Sequence, residues 1–62
     1  MKAKANGKTY QDDSWKKIVA AVLVAEGKFA IRQERDLAAS QLGKGITAVI
    51  GGVLIKPEGA RE

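Results

Sequence analysis

The chain has no cysteine, no histidine, one proline and one residue each of tryptophan, tyrosine and phenylalanine. Without Cys and His, disulfides, thiol nucleophiles, zinc fingers and serine–histidine triads are all excluded. No apolar run reaches the roughly 18 residues of a membrane-spanning helix, so no membrane association is predicted. No apolar block closely follows the basic first residues, so no signal peptide is predicted either. The lack of Cys favours a cytoplasmic protein.

Catalytic groups are also scarce. Asp12 and Asp13 are adjacent, which is more typical of helix capping than of two carboxylates converging on a substrate. Gly43-Lys44-Gly45 lacks the spacing of a Walker phosphate loop. General acid–base chemistry would need a perturbed carboxylate or lysine in a domain with little room for a pocket. We therefore predict no enzyme, no cofactor, no metal site and no small-molecule substrate.

The chain is short, with 62 residues, and 45% of them are hydrophobic. That length allows one domain, and the apolar fraction is too high for an intrinsically disordered chain. A domain of about 60 residues buries only about 60% of the surface that its unfolded chain exposes. With no disulfide or metal to add stability, a tightly packed core or oligomerisation must supply it. We expect a homo-oligomer, with a dimer as its simplest form.

The net charge of +4 is concentrated near the N-terminus. Lys2, Lys4 and Lys8 occur there with no acidic residue among them, whereas the rest of the chain is almost balanced. Residues 1–9 are therefore predicted to form a flexible basic arm, residues 10–57 a single small globular domain, and residues 58–62 a polar tail. A basic arm suits a polyanion such as nucleic acid. The alternative interpretation is a solubilising tail.

Two helices are predicted, over residues 13–26 and 32–42. The first has candidate N-caps at residues 12–14 and an apolar stripe with helical spacing from Trp15 to Leu23. Gly27 and Gly43 stand where left-handed C-caps belong. Residues 28–31 are predicted to form either a short strand or the beginning of the second helix.

The most specific local pattern lies in residues 46–56, where Gly51-Gly52 separates two aliphatic runs. This predicts a β-hairpin with a two-residue turn, in which Ile50 faces Val53 and the pairing continues outward. One face of the hairpin is then entirely apolar and belongs against the helices, and Pro57 ends the second strand.

The predicted fold class is α+β, with two helices packed on a C-terminal β-hairpin, or on a three-stranded sheet if residues 28–31 add a strand. This order resembles that of a minimal winged-helix domain, a likeness of fold order that does not determine function. A helix-turn-helix built on Ala39, Gly43 and Val49 is the alternative. It would place Gly51 and Gly52 inside a helix, where each glycine lowers helix stability by about 1 kcal/mol relative to alanine.

The first functional hypothesis is a small basic DNA-binding accessory or regulatory protein, of the kind found in compact microbial or phage genomes. Phosphate contacts would come from the arm and the flanks of the hairpin. Tyr10 is the one aromatic residue considered for a nucleic-acid contact. The full set of predicted contact residues is Lys2, Lys4, Lys8, Lys16, Lys17, Lys44, Thr47 and Lys56.

The second hypothesis is a protein-interaction or assembly subunit, such as an inhibitor, an adaptor or a viral structural component. It would contact its partner through the first helix, which is apolar on every side, and through the more solvent-exposed face of the hairpin. The predicted interface residues are Val24, Val49 and Leu54.

Overall fold

The computed structural model of the protein describes residues 1–58 as two β-hairpins separated by two α-helices. The elements in chain order are β1 (Lys2–Ala5), β2 (Lys8–Gln11), α1 (Trp15–Glu26), α2 (Arg32–Gly43), β3 (Ala48–Ile50) and β4 (Val53–Glu58). The strands form one antiparallel sheet in the order β2-β1-β4-β3. The predicted α+β class, with two helices packed on a C-terminal hairpin, is confirmed.

The N-terminal residues form a hairpin that belongs to the sheet, so the prediction of a flexible arm over residues 1–9 is wrong. Strand β1 lies between β2 and β4. Lysine and alanine alternate along β1, and this period of two turns Ala3 and Ala5 into the core, where they are 0% and 2% exposed. Asn6 and Gly7 both have positive φ, as a type I′ turn requires.

The C-terminal hairpin has the predicted pairing. Ile50 faces Val53, and the next two pairs follow in the same register. Gly51 and Gly52 have φ of 59° and 76°, which fits a type I′ turn. The alternative helix-turn-helix is therefore wrong, because the chain reverses direction where the second helix would run. The prediction that Pro57 ends the second strand is wrong, because β4 continues through Pro57, the partner of Ala3, to Glu58. The rest of the predicted polar tail lies outside the described residues.

Both helices lie on one face of this sheet. Helix α1 ends as predicted, because Gly27 adopts the left-handed conformation and the Lys28 N–H donates to the Leu23 carbonyl at 2.9 Å. Gly43, in contrast, is the last residue of α2 rather than a left-handed cap, and Gly45 has the positive φ instead. Residues 28–31 form no strand, so the sheet gains its additional strands from the N-terminus.

The core lies between the helices and the inner face of the sheet. Its largest fully buried side chains are Ile18, Val19, Val22, Leu42 and Ile55. The sheet contributes alanine at three inward positions, which leaves room for the larger helix side chains. Within residues 1–58 no helix is long and apolar enough to cross a bilayer, since each has 12 residues.

The turn of the C-terminal hairpin packs against the end of α1, which predicts different effects for its two glycines. Alanine at either position is strained by about 1–2 kcal/mol, because φ is positive. At Gly51 the new Cβ would also lie 3.2 Å from both Leu23 Cδ2 and Lys28 Cβ, whereas at Gly52 it meets open space. We expect Gly51→Ala to lower the urea midpoint more than Gly52→Ala. Equal midpoints would contradict the contact between turn and helix.

Candidate nucleic-acid interface

The face of the sheet opposite the helices is open and carries a cluster of lysines. Lys4 and Lys56 are direct cross-strand partners on the two central strands. Lys2 lies two positions from Lys4 on the same face and is the partner of Glu58. The Lys4 Nζ is 3.8 Å from the Glu58 Oε2, and both side chains are substantially exposed. We call Lys2, Lys4 and Lys56, with Glu58, the open basic face.

Neutral polar side chains extend this face across β2. Thr9 is the cross-strand partner of Lys4, and Gln11 is the partner of Lys2. Both are exposed and can donate hydrogen bonds to an anion. Directly opposed like charges destabilise a sheet by some tenths of a kcal/mol or more, and Lys4 faces Lys56. An anionic partner would offset that repulsion.

A shallow cleft of about 520 Å³ continues the open basic face toward the two hairpin turns. Lys4, Lys28 and Lys56 contribute ammonium groups to its lining. Glu26 supplies the one carboxylate among its lining residues, and the Asn6 Nδ2 donates to both of its oxygens, at 3.1 and 3.3 Å. The cleft is therefore mainly cationic, and its acid already has a hydrogen-bond partner.

The structure separates the remaining predicted contact residues from this face. Strand alternation places Lys8 on the helix side of β2, next to the first turn. Lys16 and Lys17 lie on α1, with their Nζ atoms 3.9 Å from Asp36 and 3.7 Å from Asp13. Lys44 caps α2, and Thr47 is exposed just before β3. The eight predicted residues therefore do not form one surface.

The beginning of α1 is unfavourable for the binding of a phosphate group. Hydrogen bonding by Asp13, whose backbone N–H donates to the Asp12 Oδ1 at 2.7 Å, holds the pKa of the Asp12 carboxyl below its usual range. Asp12 is therefore anionic at neutral pH, beside the Asp13–Lys17 ion pair. Repulsion from these carboxylates opposes the binding of a phosphate by Lys17.

The predicted apolar interface residues also divide between the two faces. Val49 and Leu54 are cross-strand partners on the open side, where they are 66% and 48% exposed. Val24 is on α1, in the helix layer, where it lines a surface groove with Phe29. The sequence therefore identified two apolar surfaces, one on each side of the molecule.

Tyr10 faces the helices, packs against the core and has a buried hydroxyl with no protein hydrogen-bond partner in residues 1–58. It therefore does not form part of the open basic face. Lys28 and Asn6, which were not among the predicted contact residues, both line the cleft. Asn6-Gly7 was the available signal, since this dipeptide is typical of a type I′ turn.

No cluster of three or more metal-ligating side chains is present in the described part of the chain. Comparison of the chain with protein-family models, with curated proteins and with solved structures finds no significant match.

Proposed function

We propose that the protein binds DNA through its phosphate backbone, using the open basic face of the sheet. The observation that carries the proposal is the cross-strand pairing of Lys4 with Lys56, beside Lys2 on the same face. Three ammonium groups held on rigid central strands match the repeated negative charge of a nucleic acid. The Lys28 side chain, in the adjoining cleft, adds a fourth.

The width of the sheet favours backbone contacts over base reading. Four strands about 4.8 Å apart span about 14–19 Å, which exceeds the roughly 12 Å width of the major groove. The C-terminal hairpin is joined to β1 along one side, so it is no free ribbon that could enter a groove alone. Its tip, Gly51-Gly52, has no side chain to read a base. We therefore expect affinity with little sequence preference.

A salt titration with labelled duplex DNA tests the proposal. Removal of the three open-face charges, Lys2→Gln, Lys4→Gln and Lys56→Gln, is expected to weaken binding at least about tenfold at low salt. It should also reduce the slope of log K against log salt by roughly 0.9 for each phosphate that the variant no longer neutralises. Fluorescence anisotropy at several salt concentrations gives both quantities.

A matched variant removes the same number of charges from the helix layer: Lys16→Gln, Lys17→Gln and Arg35→Gln. Its affinity should stay close to that of the unmodified protein. An equal loss in both variants would show that net charge alone, and not the open face, determines binding. Absence of binding by the unmodified protein at low salt would end the proposal.

A second candidate function, a protein-interaction or assembly subunit, is favoured by the exposed apolar side chains of the helix layer. Phe29 is 86% exposed and Val24 is 82% exposed, and they line one groove of about 210 Å³. An exposed apolar patch of this kind is typical of a protein contact site. The salt titration discriminates between the candidates, because a protein that acts only through this groove would show no salt-dependent binding to the labelled DNA.

A further inference from the structure

The β3 edge of the sheet carries no lysine, no proline and no bulge, although β3 is short and α2 packs beside it. Strand β3 pairs only with β4, so its other side is free. Residues 46–51 contain no charged side chain and no proline, and the register with β4 runs without a bulge. Proteins usually protect such an edge with lysine, proline or a bulge. The opposite edge strand, β2, begins with Lys8.

The backbone of this edge is available for pairing. In a two-residue hairpin the residues flanking the turn form a hydrogen-bonded pair, and the next pair does not exchange hydrogen bonds. Ile50 and Val53 flank the turn, so the N–H and C=O of Val49 point toward the free side. Val49 therefore offers one donor and one acceptor to an added strand.

Helix α2 lies along this edge and carries a stripe of side chains beside it. Glu34, Leu37 and Gln41 line a groove of about 300 Å³ between α2 and β3. Lys44, at the C-cap, continues the stripe by its helical spacing. Leu37 is 60% exposed. Within residues 1–58 neither Glu34 nor Lys44 forms an ion pair.

We propose that a second copy of the chain adds to the β3 edge, with the two β3 strands antiparallel about a two-fold axis. That symmetry also makes the two α2 helices antiparallel, so Glu34 near the start of one helix faces Lys44 at the end of the other. The contact between Glu34 of one copy and Lys44 of the other occurs twice in the interface. The Leu37 side chains of the two copies lie between these two contacts. The edge is thus self-complementary in charge as well as in backbone hydrogen bonding.

The dimer would have one continuous eight-stranded sheet. A two-fold axis perpendicular to the sheet keeps all four helices on one side and both open basic faces on the other. The dimer does not depend on the proposed DNA binding, because its contacts are on the edge and not on the open face. If the proposed function is right, however, the dimer doubles the number of lysines that one DNA segment meets.

The test is sedimentation equilibrium of the full chain without DNA, over concentrations up to about 1 mM. The unmodified protein is expected to reach twice its 6.6 kDa mass. Glu34→Lys and Lys44→Glu alone should each raise the dimer dissociation constant about tenfold, since each turns two attractions into repulsions. The double variant Glu34→Lys, Lys44→Glu should return it to within a factor of about three.

A further variant removes the free donor at the centre of the edge. Val49→Pro deletes an N–H that β4 does not use, so the hairpin is retained while strand addition is blocked. It should be monomeric at concentrations where the unmodified protein is dimeric, with an unchanged far-ultraviolet circular dichroism spectrum. If Val49→Pro unfolds, the charge-reversal pair alone decides the question.

A chain that stays monomeric at every concentration would overturn the proposal. The β3 edge would then be available only to a strand of a different polypeptide. If neither charge reversal changes the dimer dissociation constant, or if the double variant does not return it to the value of the unmodified protein, the interface lies elsewhere. Neither result bears on DNA binding, which is measured separately.

Discussion

Replacement of Ala3 by aspartate is expected to unfold the domain, whereas replacement of the adjacent Lys4 by aspartate leaves it folded. Ala3 is 0% exposed, on the central strand β1, where it faces Tyr10 on one side and Pro57 on the other. A buried carboxylate there has no cationic partner, which costs several kcal/mol. At the typical free energy of unfolding per residue, a chain of 62 residues is stable by only about 3–9 kcal/mol.

The measurement is thermal unfolding followed by circular dichroism. Lys4→Asp serves as the control because its side chain is on the open face, where a carboxylate would face Lys56. Its effect should stay within about 0.5 kcal/mol of the unmodified protein. If Ala3→Asp melted like the unmodified protein, residues 1–9 would be a flexible arm after all, and the sheet would not have four strands.

The N-terminal hairpin was predictable in part from its turn. Asn6-Gly7 stands between two segments that alternate in polarity, and this is a strong local signal for a hairpin. Three lysines within eight residues suggested an arm instead, and the inward positions of β1 are occupied by alanine, which has a low strand propensity. The alternation, rather than the size of the side chains, was the informative feature.

The C-terminal hairpin illustrates the opposite case. Its turn and its register followed from Gly51-Gly52 and the flanking aliphatic residues, and both are confirmed. The predicted inward face is confirmed for Ala48, Ile50, Val53 and Ile55, but Ile46 lies outside β3 and is 50% exposed. Every contact within this hairpin is local in sequence, so the local pattern contains the information. The two helices were predicted to within about two residues of their ends for the same reason.

The open basic face could not be read from the sequence, because it depends on a long-range pairing. Lys4 and Lys56 belong to opposite ends of the chain and meet only because β1 and β4 are neighbours. A local pattern assigns each lysine to a face of its own strand but does not say which strands are adjacent. For this reason the predicted contact residues included lysines on α1, which the fold places on the other side of the sheet.

Truncation of Ile55 to alanine is expected to have the second large effect, a loss of about 2–5 kcal/mol in the free energy of unfolding. Ile55 is 0% exposed and is the cross-strand partner of both Ala5 and Ala48. Because both neighbours in the sheet are alanines, no side chain beside it can expand to fill the space left by the missing atoms. At about 4–8 °C per kcal/mol for a domain of this size, the melting temperature should fall by about 10–40 °C.

Leu54→Ala is the matched control, since it truncates the adjacent residue of the same strand on the opposite face. Leu54 is 48% exposed and meets Val49 across the strands, so its truncation should cost less than about 1 kcal/mol. Urea unfolding of the two variants, with m-values compared, measures the difference directly. Equal effects would mean that the helices do not cover the inner face of the hairpin. A large difference requires that the face bearing Ile55 is the buried one, and therefore that Lys56, the cross-strand partner of Lys4, lies on the side exposed to a ligand.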